Sequence, residues 1–403
     1  MKVKKRNIVV FTDSFPYGGV SEGAFVEPEL KLLAEKFDRV VIVPTCRLSE
    51  EAISDMPSGV EVSDWWINCK EWETPWRRVK YLLSTRFLRS LSLKCRYTDL
   101  TFILSAVTFS YALKRWLREE KLTPENTLLY TFWFDIAAGG VSFLSEYEWI
   151  TRMHGHDMYT WRGRKLRKQM VDKVLRIFTA SEAGREYMES EYPAASKIET
   201  AILGCVKYGG RDVTAQSHCR VDGALTFLTV SRAVEGKGLM QTVDLLRSLA
   251  ISRPDMQVRW VYVGGGILAE KLRMYCDRGP NPKNFSVDLR GELANTDVHK
   301  IYATEPIDWV MLLSDSEGGN PVSLCEAMAY GVPVIGKECR GVSETIDDSC
   351  GILLSNAPTE EEFVYGLAPY IDSDVRMGVL RQGALRRWQE RYDAENLRKE
   401  FWS

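Results

Sequence analysis

The chain's 403 residues, 45% of them hydrophobic, suffice for two α/β domains of ordinary size and argue against a single one. Its 53 basic and 55 acidic side chains leave a net charge of −2, so nucleic acid is not an expected partner and an anionic membrane would need a local basic patch. Nine cysteines and four histidines are scattered without a CxxC pair or metal-ligand spacing, which argues against zinc or a disulfide framework and fits reduced thiols in a cytoplasm.

The opening "MKVKKRNIVVFTDSF" is basic but offers only "IVVF" as an apolar run, too short for a signal peptide, and no later run approaches the roughly 18 apolar residues of a spanning helix. Short apolar runs bounded by turn residues then recur: "NIVVFTD", "RVVIVPT", "TLLYTFW", "EWITRMHG" and "RIFTAS" in the first half, "LTFLTVSR", "VRWVYVGGG", "FSVDLRGE", "DWVMLLSDSEG" and "VPVIGK" in the second. Segments of helical periodicity separate most of them, which predicts parallel sheets flanked by helices, and the pattern restarts near residue 224. The expected organisation is a first doubly wound domain over 1–205, a polar connection over 206–223, a second domain over 224–380 and a terminal helix over 381–403.

Within the first half, Trp76, Val79, Leu83, Phe87 and Leu91 recur at near-helical spacing among Arg77, Arg78, Lys80, Arg86, Arg89, Lys94 and Arg96. A basic, Trp-bearing amphipathic helix can lie on an anionic bilayer, although helices packed on a sheet with solvated cations read the same way. A second basic run, "WRGRKLRKQMVDKVLR", covers 161–176.

In the second half, "TVSRAVEGKGL" places Arg232 just past a strand and Lys237 between two glycines, two cations able to clasp a diphosphate. "VYVGGG" is another glycine-rich strand end, ending in Gly264 to Gly266, but it lacks the GxGxxG spacing and later acidic residue that would mark an NAD-dependent oxidoreductase. "SEGGNPVSLCEAMAYGVPVI", from residue 316 to 335, follows the strand "DWVMLLS". Its Asn320 reads as a helix N-cap, Pro321 as the first helical residue, and Gly331 with Pro333 as the stop. At about 100° per residue Ser323, Glu326 and Tyr330 fall in one polar strip of an otherwise buried helix. Bare glycine amides at the positive end of that helix, at the carboxyl edge of a parallel sheet, suit a phosphate or sugar hydroxyls, while an ordinary βα turn with a solvent-facing Glu is the plainer alternative. The only Asp-x-Asp, Asp372 and Asp374, stands off any strand-end glycine loop, so no metal site is expected.

Together these residues resemble the family 4 glycosyltransferases, an α/β family with the GT-B fold of two Rossmann-like doubly wound domains facing across a cleft. "SEGGNPVSLCEAMAYGVPVIGKECRGVSETI" is similar to the family's donor-site signature, "SRAVEGKGL" to its diphosphate loop, "FTDSFPYGGVSEGAFVEPELKLLA" to its first βα loop, "RMHGHDMYTWR" to its His segment, and "RRWQERYDAENLRKEF" to its terminal helix returning to the first domain. The resemblance implies a metal-free, cofactor-free, retaining transferase that moves a sugar from a UDP- or GDP-sugar to a glycan or lipid-linked acceptor, as in bacterial surface polysaccharide assembly. Such an enzyme is cytoplasmic, in places peripheral on the inner face of the membrane. A sugar-nucleotide epimerase on the same architecture and a non-catalytic sugar-nucleotide-binding subunit are the alternatives.

Carried over by residue, Arg232 and Lys237 hold the diphosphate, Glu326 the ribose, and Glu317 with Gly318, Gly319, Asn320, Pro321 and Val322 the donor sugar. Gly18, Gly19 and Gly264 allow close backbone approach, Arg290 and Leu293 of "LRGEL" lie at the base-binding edge, and His154 contacts the sugar, with His156 as competitor and Asp157 as a group that could orient either ring. Catalysis falls to His154, Glu317, Arg232 and Lys237. One departure stands out: eight residues separate Glu317 from Glu326, where the family commonly has seven, which puts the Glu317 contact in question.

Overall fold

The computed structural model describes residues 5–17, 20–49, 56–69, 79–91, 96–159, 164–193, 197–209 and 223–401. It divides into two compact units, Met1–Ala201 with Arg398–Ser403, and Ile202–Leu397.

In the first unit seven strands, β1 (Asn7–Thr12), β2 (Arg39–Pro44), β3 (Val60–Val62), β4 (Thr127–Thr131), β5 (Glu148–Met153), β6 (Arg176–Thr179) and β7 (Ile198–Thr200), form one sheet in the order β3-β2-β1-β4-β5-β6-β7. Every neighbouring pair is parallel. Continuous apolar runs such as "VVIV" suit strands covered on both faces, and Val9, Phe11, Val41 and Val43 are buried with Phe109 and Leu113 of the helix Tyr97–Glu119. Strand order reverses between β1 and β4, so their carboxyl ends flank the crevice where ligands of open α/β sheets bind.

A charged triad lies inside this unit. Arg152 on β5 meets Glu29 of the helix Val20–Lys36 at 2.5 Å, both nearly inaccessible to solvent. The Tyr130 hydroxyl donates to Glu29 at 3.3 Å and accepts from Arg152 at 3.1 Å, and the same guanidinium donates to the Ala201 carbonyl at 2.9 Å.

The second unit repeats the plan with six strands, β8 (Ala224–Val230), β9 (Gln257–Val263), β10 (Phe285–Leu289), β11 (Trp309–Leu312), β12 (Val334–Lys337) and β13 (Gly351–Leu354), in the order β10-β9-β8-β11-β12-β13, again wholly parallel. Its reversal falls between β8 and β11.

Three sequence expectations are corrected. The element expected from residue 381 starts at Asp374: the helix Asp374–Arg391, capped by Ser373, shares a core with the helix Val322–Ala329 through Ala384 and Trp388, and a separate helix, Ala394–Phe401, follows. Cys205 is hydrogen-bonded to Tyr392 and Ala394, so the units divide before it, at Ala201, and of the expected connection residues 210–222 lie outside the described residues.

The stripe from Trp76 to Leu91 is not one amphipathic helix. Trp76 lies outside the described residues, residues 80–84 form turns between helical Val79 and the helix Thr85–Ser90, Phe87 is buried, and Leu83 and Leu88 are exposed. Arg86 is held over the Tyr111 ring and donates to Ser110, so it is not a solvated cation.

In the second basic run Arg167 is buried, and Arg176 pairs with Glu199. Among the described residues no helix is long and apolar enough to cross a membrane.

Candidate functional site

In the second unit the loops leaving β8 and β11 meet at the strand-order reversal. Lys237 Nζ reaches Glu317 Oε1 at 2.5 Å, and the Asp315 amide donates to the Gly236 carbonyl at 2.8 Å. The longer glycine loop therefore does not carry Glu317 away from Lys237.

A third loop, leaving β12, completes the edge. Lys337, buried, pairs with Asp315, and the Glu317 amide donates to the Arg340 carbonyl at 3.1 Å. Gly341 has φ +80°, and a Cβ there would stand 2.0 Å from the Gly319 carbonyl, so only glycine lets this loop support Gly318 and Gly319. Gly264 is comparably tight, its Cβ position lying 1.9 Å from the Ser231 carbonyl.

Arg232 is exposed beside this edge. Arg290 is already engaged, paired with Glu305 at 2.5 Å and Asp288 at 3.0 Å, which leaves backbone rather than guanidinium at the expected base edge, and Leu293 packs on the core behind it.

Ser231 Oγ, Ser314 Oγ and Asn320 Oδ1 are buried at these same strand ends without a hydrogen-bond partner among the described residues. Buried orphan acceptors cost of the order of 1–3 kcal/mol each, so three on neighbouring loops favour a polar ligand there.

The capping expectation is off by one residue. Pro321, extended at φ −69° and ψ 112°, is the N-cap of Val322–Ala329, and Asn320 instead donates to Cys325 Sγ at 3.3 Å. No side chain caps the first turn, so its amides remain directed at the glycine loop. The polar strip is not solvent-facing either. Glu326 is buried and accepts from Asn295 Nδ2 at 2.9 Å, and Tyr330 is buried against His299.

In the first unit His154 ends β5, buried, with Trp133 at 4.2 Å and Phe132 at 5.2 Å between ring centroids. Among the described residues neither ring nitrogen has a hydrogen-bond partner. Burial, then the nearby Arg152 charge, lowers its pKa to about 3, so the ring is neutral at physiological pH and able both to donate and to accept.

Among the described residues Asp157 makes no hydrogen bond to the His154 ring. Its two oxygens accept from the His154 and Phe134 amides, each at 2.6 Å, and Arg167 donates to its carbonyl at 2.8 Å, tying the loops after β4 and β5 together. The side chain of His156, with Gly18 and Gly19, lies outside the described residues. Flanking those glycines, Glu22 accepts from the amides of Asp13, Ser14 and Phe15 at 2.7–2.8 Å and from the Trp133 indole at 2.7 Å.

The His154 shift has a sign that can be measured. The unfolded chain takes up a proton near pH 6.5 that the folded ring refuses until about 3, so stability falls with pH across that window, by up to about 1.4 kcal/mol per pH unit. Urea midpoints of the wild type and His154→Gln between pH 6 and pH 4 are expected to converge as pH falls; parallel profiles would contradict the burial of a neutral ring.

Two wholly parallel sheets, each reversing strand order beside its central strand, make this a GT-B fold. Residues 224–371, within the second unit, match the family model described as Glycosyl transferases group 1. The chain is similar in structure to Anabaena HepE solved with UDP and glucose, at 15% identity and a TM-score of 0.66 over 98% of this chain and 97% of that one. It is also similar to sucrose-phosphate synthase from Thermosynechococcus elongatus, at 15% identity and a TM-score of 0.69 over 98% and 97%. The lipopolysaccharide outer core galactosyltransferase WaaB aligns at 16% identity and a TM-score of 0.63, covering 98% of each chain. No curated protein matches by sequence.

Proposed function

We propose that the protein is a retaining glycosyltransferase that moves a sugar from a UDP- or GDP-sugar to a glycan or lipid-linked acceptor, without a metal, in the assembly of a bacterial surface polysaccharide. The observation that carries the reading is the edge at β8 and β11, where Lys237, Glu317, an uncapped helix N-terminus and three orphan polar atoms converge. The group 1 match over the same residues supports it, as does the UDP bound by a protein of similar fold.

Lys237 and Arg232 offset the charge that grows on the departing diphosphate, the part a metal ion plays elsewhere. Glu326 accepts from the ribose hydroxyls, and Glu317 with the backbone of Gly318 to Asn320 holds the sugar. His154 supplies a neutral imidazole to a sugar hydroxyl. With attack on the face the diphosphate leaves, its oxygen can take the acceptor's proton, so no protein base is required. Exposed Leu83 and Leu88 beside Arg89 support contact with anionic lipid and a peripheral, cytoplasmic position.

One experiment tests these points together: UDP- and GDP-sugars are screened for thermal stabilisation, and the best donor is assayed for transfer with chelator and with anionic liposomes. A raised midpoint for one donor, transfer undiminished by chelator, and salt-sensitive liposome binding are expected. No stabilisation by any donor rejects the function, chelator inhibition rejects the metal-free route, and absence of lipid binding rejects the membrane contact.

A further inference from the structure

Glu326 does not stand alone in its pocket. Asn295 and His299, four residues apart, share one face of the helix Asn295–Thr304 and address the same carboxylate oxygen. Asn295 Nδ2 donates to Oε1 at 2.9 Å, and His299 Nε2 lies 3.6 Å from that same Oε1.

The imidazole is fixed from its other side. The Tyr330 hydroxyl, 3.1 Å from His299 Nδ1, also donates to the Tyr208 carbonyl at 2.9 Å and accepts from the Tyr208 amide at 3.2 Å. A phenol has one proton to give, and with that proton on the Tyr208 carbonyl it can only accept from Nδ1 of the ring; a neutral imidazole then turns the lone pair of Nε2 towards Glu326, so at 3.6 Å this nitrogen packs against Oε1 without donating to it. The rings of Tyr208, at 4.8 Å, and Tyr302, at 6.3 Å, close around the imidazole, which is 2% exposed.

We infer that Asn295 is a positioning residue that commits Oε1 of Glu326, with the His299 ring packed beside it, and so presents Oε2 in one orientation to the vicinal hydroxyls of a nucleoside ribose. The inference rests on the donor-site reading of Glu326. It assigns to Asn295 the discrimination of ribonucleotide from 2′-deoxyribonucleotide, because a carboxylate free to rotate loses the directed hydrogen bond to the 2′-hydroxyl. Asn295 acts through the glutamate and not on the nucleotide.

Calorimetric dissociation constants for UDP, 2′-deoxy-UDP, GDP and 2′-deoxy-GDP test this on the full chain. The wild type is expected to favour the ribose form of its nucleotide by about tenfold or more, as a hydrogen bond to a charged group allows. In Asn295→Ala that ratio should fall towards one through weaker ribonucleotide binding, with the deoxy form unchanged. Lys237→Ala should weaken both forms alike. A ratio that survives in Asn295→Ala, or a wild type indifferent to the 2′-hydroxyl, overturns the inference while leaving the donor site standing. If neither UDP nor GDP binds the wild type, the donor-site reading falls and takes the inference with it. Asn295 stands at a partly exposed helix start, so its replacement leaves the fold intact.

Discussion

Lys237→Ala is expected to lower kcat/KM for transfer by about 10²–10³-fold, or roughly 2.7–4 kcal/mol of transition-state stabilisation. The ammonium stands at the strand-order reversal, 2.5 Å from Glu317, and is mostly shielded from water, so it acts where an approaching diphosphate is also shielded. Removing it also leaves the Glu317 carboxylate without its partner. The double variant Lys237→Ala/Glu317→Ala separates the two effects: if repulsion by an unpaired carboxylate were the cause, the second substitution would restore donor affinity. Steady-state rates with saturating acceptor give the answer, and less than a fivefold loss would remove Lys237 from the diphosphate role.

Breaking the buried triad of the first unit should have the largest effect on stability. Glu29→Gln leaves the Arg152 charge buried without a counterion, and Arg152→Met does the same to the Glu29 carboxylate; either is expected to cost about 3–5 kcal/mol. Replacing both with methionine should recover most of that loss, since apolar groups of similar volume often match a buried ion pair. Urea denaturation monitored by tryptophan fluorescence reads all three. A cost below about 1 kcal/mol for the single variants would mean that water reaches the pair, against the burial of both side chains.

The sequence carries local chemistry better than tertiary pairing. "EGKGL" and "EGGNP" reveal themselves as strand-end loops because glycine placement and helix starts depend on neighbouring residues, and the parallel sheets follow from apolar runs covered on both faces. The cap at Pro321 rather than Asn320 depends on Gly341 packing beneath the glycine loop, a contact between separate loops. Arg152 and Glu29 are 123 positions apart, and in sequence each looks like a solvated charge on an ordinary strand or helix. Arg167 was hidden in the same way within a basic run. Asn295 and His299 do leave a trace, an i,i+4 polar pair, but that pattern marks any exposed helix face until the Glu326 helix is placed against it.

The order of strands in the second sheet also governs how it can be built during synthesis. β8, β9 and β10 can associate as they leave the ribosome, yet the other side of β8 stays open until β11 arrives, about 80 residues later, as the 82-residue separation of Thr229 from Met311 records. The nascent helix bearing Glu326 then waits for Ala384 and Trp388 before its outer surface is covered. A fragment ended at residue 371, where the group 1 match stops, would keep that surface bare, and so would be a substrate for chaperones and proteases rather than a miniature of the native domain.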